Sequence, residues 1–217
     1  MTGKFVVNSD QIDRLAELAI RTGVALQSGQ DLLITAPVEA LPLVRRLAVH
    51  AYKAGAGQVI PIFSDAELTL ARYQHAVDAS FDTAANWLYD GMGVAFDRNT
   101  ARLAIVGDDP MLLSNEDPEK VGRFNKANSL ASTPAREKIT GFDINWNIIA
   151  WPGLAWAQRM FPELSANEAQ NRLADAIFSA SRVDQADPVL AWNVHNAELR
   201  ARSAWLNGQR FQALHFM

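Results

Sequence analysis

Apolar and polar positions along this chain follow two periods in turn. Ile12, Leu15, Leu18 and Ala19 recur at spacings of three and four residues, the stripe of an amphipathic helix, and Ser9 or Asp10 stands at its start as a cap. "SGQDLLITAP" then reads as a turn and a continuously apolar strand from Leu32 to Ala36, stopped by Pro37. Helical spacing returns from about Glu39 to Ala54, with Leu43, Leu47 and Ala51 on one face and Gly55 placed just past the end, where a left-handed backbone costs glycine little. "QVIPIF" is a second strand, and Pro61 inside it points to a sheet edge or a bulge.

The alternation continues. Helical stretches are expected from Asp65 to about His75 and from Asp82 through Phe96, followed by a third strand in "ARLAIVG", Ala101 to Gly107. Asp117-Pro118 opens the next helix, with aspartate as cap and proline at the first helical position, where its missing N–H matters least. "WNIIAW" is a fourth strand. Two more helices start at the capping box Ser165-Ala166-Asn167-Glu168 and at Asp187-Pro188, and Phe211 to Phe216 is expected to close the chain as a strand.

Strands separated by long helical segments need crossover connections, which predicts an α/β fold with a mainly parallel sheet and helices on both faces. The uninterrupted apolar runs "LLIT" and "LAIV" suit strands covered on both sides. After about residue 162 the pattern changes to helix upon helix. The expected organisation is an α/β domain over 1–162, a helical extension or bridge over 163–208 that leads out of it, and in 209–217 the start of a strand, which the resemblance described below implies leads to a further domain.

Composition narrows the chemistry. Apolar residues make up 49% of the 217 positions, ample for a core. The net charge of −4 argues against a nucleic-acid partner, which usually leaves a basic excess. The absence of cysteine removes disulfides, thiolate metal sites and a cysteine nucleophile, and fits a reducing cytosol. No leader-like apolar run opens the chain and no stretch approaches the roughly 20 apolar residues of a bilayer span, so a cytoplasmic location without membrane contact is expected.

In open parallel sheets ligands collect beyond the carboxyl ends of the strands. The loop after strand one holds Glu39; the loop after strand three, "GDDPMLLSNEDPEK", holds Asp108, Asp109, Glu116 and Asp117. Such carboxylates suit a hard divalent cation. Turn chemistry accounts for Gly-Asp-Asp-Pro, however, and capping accounts for Asp117. "GAGQV" fails as a dinucleotide loop, since it follows a helix and opens a strand. Neither a Walker-type lysine loop nor a G-x-S-x-G elbow is present. Of the four histidines, His195 shares a helical face with Glu198 but lies on an apolar stripe between Trp192 and Leu199, the setting of a packed or interfacial histidine. The six tryptophans suit a subunit interface or an ordinary core equally. No residue is assigned a catalytic, cofactor-binding or metal-ligating role.

"WPGLAWAQRMFP", Trp151 to Pro162, combines a strand end, a proline turn and a short helix closed by a second proline. With "AYKAGAGQVIPIF" before it and Arg182-Val183-Asp184 and Leu206-Asn207 after it, the chain resembles, over nearly its whole length, the amino-terminal half of the aminopeptidase T family of metal-dependent aminopeptidases. The resemblance implies a longer polypeptide whose second domain carries two divalent metal ions of zinc or cobalt type and their ligands. None of those ligands has a matching position here. It further implies a peptide substrate with a free N-terminus, a homodimer, and a role for this half as one wall of the substrate cavity, inactive alone. The alternative reading of the residues is a stand-alone α/β module that binds a small ligand or serves assembly.

Overall fold

The computed structural model describes residues 8–216. Four parallel strands form one sheet: β1 (Leu32–Pro37), β2 (Val59–Ser64), β3 (Ala101–Val106) and β4 (Trp146–Ala150), in the spatial order β2-β1-β3-β4. The helices between and after them are α1 (Ser9–Leu18), α2 (Leu41–Lys53), α3 (Ala66–His75), α4 (Asn86–Asp97), α5 (Pro118–Thr140), α6 (Leu154–Met160), α7 (Ala166–Ala180) and α8 (Pro188–Gly208). The expected α/β architecture with a parallel sheet is therefore the observed one.

Most helix starts follow the expected chemistry. Asn8 caps α1, one residue before the expected position, by accepting a hydrogen bond from Asp10 N–H. Asp117 accepts from Glu119 N–H at 2.9 Å with Pro118 behind it. Asp187 accepts from Leu190 N–H, and the Ser165/Glu168 capping box closes at both ends. Gly55 takes φ +92° after α2. Two helices begin late: a tight turn occupies Val38–Ala40 ahead of α2, and another occupies Asp78–Asp82 ahead of α4.

Pro61 lies opposite Ile34 in β2, an edge strand. The bond from Leu32 N–H to Gln58 O sets the parity of this parallel pair, so the odd-numbered residues of β2 direct their backbone groups outward. The donor that proline lacks is thus on the open side, where the sheet does not need it.

The two faces of the sheet are unequally covered. Leu32, Ile34 and Ala36 of β1 and Leu103 and Ile105 of β3 point to one face. There they meet α1 and α2, together with Ala174 and Phe178 of α7, in a single core cluster. On the other face Leu33 packs with Phe96 of α4, Ala135 of α5 and Ile144 in a smaller cluster. Helix α5 is tied to the 78–82 turn by Arg123, which pairs with Asp78 at 3.0 Å and Asp82 at 2.6 Å.

A side-chain network joins the strand starts. Gln30, buried before β1, donates to Asn99 O before β3 and to Asn145 Oδ1 before β4, at 2.7 and 2.6 Å. Asn145 donates in turn to Val24 O at 2.8 Å. The expected strand over Phe211 to Phe216 is not formed: the segment is irregular and exposed. A strand is defined by the ladder it joins, and among the described residues no other strand runs beside this one.

Asn145→Ala leaves the buried Gln30 amide short of a partner. We expect a loss of about 1–3 kcal/mol in a denaturant titration, with Gln30→Ala and the double variant costing little more than Asn145→Ala alone.

Candidate site at the carboxyl edge of the sheet

The chain leaves β1 for β2 on one side and β3 for β4 on the other, so the topological switch point lies between β1 and β3. The loops beyond these two strands carry Glu39 and Asp108. Glu39 is exposed, and Asp108, though accessible as a residue, has its carboxyl partly shielded from water: that carboxyl is held above the usual carboxylate range, first by this loss of hydration and second by the charge of Glu39. Asp109 is committed to its turn, where its Oδ1 accepts Met111 N–H at 2.9 Å, and Asp117 is committed to the α5 cap. In the acidic loop that looks like a cation site in the sequence, Asp109 therefore serves a turn and Asp117 a cap, and Asp108 feels the charge of Glu39 from the neighbouring loop. Among the described residues no three of His, Asp or Glu converge as a metal-ligand set.

Beside the switch point, the end of β4 is locked to the end of β3. Trp151 N–H donates to Val106 O at 2.7 Å, and Trp151 and Pro152 are buried. Gly107 and Gly153 pass so closely that a Cβ on Gly153 would fall on the Gly107 carbonyl oxygen, and a Cβ on Gly107 would lie 2.5 Å from Trp151 O. The "WPG" turn of the sequence thus requires glycine for backbone approach, with Gly153 at an ordinary extended φ of −60°. It directs α6 so that Trp156 meets Val106 to Pro110 around a cavity of about 260 Å³. Gln170 of α7 donates to Pro152 O at 3.1 Å and holds the turn from behind.

A second, larger groove of about 660 Å³ runs along the free edge of β4. Leu15, Leu18 and Thr22 form one wall, Leu173 and Ile177 of α7 the other, and Trp156 stands between this groove and the smaller cavity. Periodicity did not reveal it, because the groove is made by elements far apart in the chain.

The histidines do not form a site. His195 lies edge-on to Trp192 with ring centroids 5.4 Å apart, and Trp192 donates to Ser181 O at 2.8 Å, so this histidine is packed. His50 meets Asp13 at 3.1 Å between α2 and α1. His215 is exposed in the irregular last segment.

Two measurements check this geometry. Gly153→Ala forces the β3 and β4 ends apart and should lower the melting temperature by several degrees, an overpacking cost of about 1–3 kcal/mol or more. Gly122→Ala, on open helix surface with nothing within 4 Å, should raise it, by about 0.5–1 kcal/mol. Because the folded-state pKa of Asp108 is raised, its ionisation weakens the fold as pH climbs from the usual aspartate value through the raised one. Asp108→Asn should therefore melt higher than the parent near neutral pH, and the gain should vanish below about pH 4.

Comparison with known proteins places this geometry. The chain is 48% identical over 205 residues to aminopeptidase T of Thermus thermophilus, across 94% of this chain and 50% of the relative. It is 45% identical over 208 residues to aminopeptidase T of Thermus aquaticus, across 96% and 51%, and 36% identical to aminopeptidase 2 of Geobacillus stearothermophilus, across 94% and 49%. The solved structure of wild-type AmpT from Thermus thermophilus superposes with a TM-score of 0.89 at 45% identity, covering 95% of this chain and 51% of that one. The chain spans about half the length of the curated relatives it matches. The family model described as thermophilic metalloprotease (M29) matches residues 8–217, and the chain belongs to that family.

Proposed function

We propose that this chain is the amino-terminal domain of a metal-dependent aminopeptidase that removes single residues from the free N-terminus of peptides. The observation that carries the reading is the identity of 48% to aminopeptidase T, sustained over nearly the whole of this chain and half of the relative. A shared evolutionary half supports a shared role for that half.

Hydrolysis of a peptide bond by such an enzyme needs metal ions that polarise the scissile carbonyl and acidify a water. The side chains described here do not fit that group, since no three potential ligands converge. We therefore assign the two divalent metals, of zinc or cobalt type, to the half of the polypeptide that this chain does not span, and derive no chemical step from the residues here. The part we assign to this half is structural. The carboxyl edge of the sheet, with Trp151 to Trp156 and the Asp108 loop, borders the substrate cavity, and the domain supports a homodimer in the cytoplasm.

Aminoacyl-anilide turnover checks the assignment. The 217-residue chain alone, supplied with zinc or cobalt, is expected to show no turnover above buffer. A polypeptide extended to the length of the relatives is expected to be active, to lose activity to a chelator and to regain it with added metal. Robust turnover by the 217 residues alone overturns the assignment of the metal centre.

A further inference from the structure

Helix α8 runs for 21 residues and contains no buried residue. It is anchored near its start, where Val189 and Trp192 pack on the core and Trp192 donates to Ser181 O. Beyond that anchor every residue from Ala197 to Phe216 is exposed. A helix gains most of its stability from packing an apolar face, so a long unpacked one is unusual.

Its apolar pattern faces away from the domain. Leu190, Val194, Ala197, Ala201 and Ala204 follow one another at alternating spacings of four and three, the seam of a helix that packs on a partner. Val194 is two residues from Trp192, which places it on the opposite side of the helix from the anchor. Leu190 and Val194 are 58% and 53% exposed, and Trp205, beside the seam, 64%. The chain as a whole leaves 13517 Å² accessible, about a third more than the roughly 9,900 Å² of a compact monomer of 23.9 kDa.

We propose that the outward seam of α8 is the seat on which the other half of the polypeptide packs, making α8 a strut sandwiched between the two halves. Length argues for that occupant: this chain accounts for 50% of aminopeptidase T, and α8 runs directly into the last residues of the matched half. Charge argues against a second copy of α8. Glu198 and Arg200 flank the seam on its two sides, and antiparallel self-pairing would set each against its own mate, like charge against like. The proposal rests on reading this chain as the amino-terminal half of an aminopeptidase.

The test uses the full-length protein and amide hydrogen exchange. Amides of residues 190–206 should exchange on the order of a hundredfold slower in the full-length protein than in the 217-residue chain. Val194→Glu and Ala201→Glu should each lower the melting temperature of the full-length protein by several degrees and leave that of the 217-residue chain unchanged. Equal exchange of α8 in the two forms overturns the proposal, and does so even where the variants fail to fold. A 217-residue chain that sediments as a dimer, and as a monomer after Val194→Glu, overturns it in favour of self-pairing. The two readings fail separately: a chelator-sensitive aminopeptidase with an unprotected α8 sinks the seat alone, whereas a protected α8 in an inactive full-length protein supports the seat and sinks the activity.

Discussion

Strands of a parallel sheet present apolar side chains to both faces, so both faces must be covered, and that demand organises this domain. Parallel strands are joined by crossovers that carry helices, and the helices cover the sheet they connect. Here one face is covered by α1, α2 and α7 around Ile34, Leu43, Leu47 and Leu103, all fully buried. The other face receives α4 and α5 through a much smaller cluster centred on Leu33 and Phe96. The sheet is held from below by the Gln30 amide, which joins the starts of three strands, and from above by the glycine contact between Gly107 and Gly153.

These two fastenings explain why the carboxyl edge has its shape. With strand starts in register, the strand ends must also fall level, and the chain there is free to form loops. The end of β4 cannot drift from β3, because Trp151 bonds to Val106 and the glycines leave no space between the backbones. Trp156 is thereby fixed at the boundary of two hollows, and the Asp108 carboxyl feels the charge of Glu39.

Much of the fold was legible in the residues. Asp117-Pro118, the Ser165/Glu168 box and Asp187-Pro188 are local devices, because a cap bonds within its own turn. Pro61 pointed to an edge or a bulge for an equally local reason, its missing donor, and the structure has the edge. The resemblance carried by Trp151 to Pro162 led to the family that the comparison established. Less was legible at the candidate site. Asp108 and Glu39 stand 69 positions apart in the numbering, and no periodicity reports that their charges act on each other. Phe211 to Phe216 has the composition of a strand but has no ladder to join.

The sequence by itself determined most helix starts, the four strands of the sheet and the resemblance that led to the family, because these depend on neighbours in the chain and on motifs that keep their order. Tertiary structure decided the rest. It showed that α7 packs into the main core while α8 leaves it, that the carboxylates of one acidic loop serve a turn and a cap, and that Gly153 is required by the Gly107 carbonyl just beyond another strand. Each of these depends on groups brought together from distant positions, and such meetings exist only once the sheet has set its order and register.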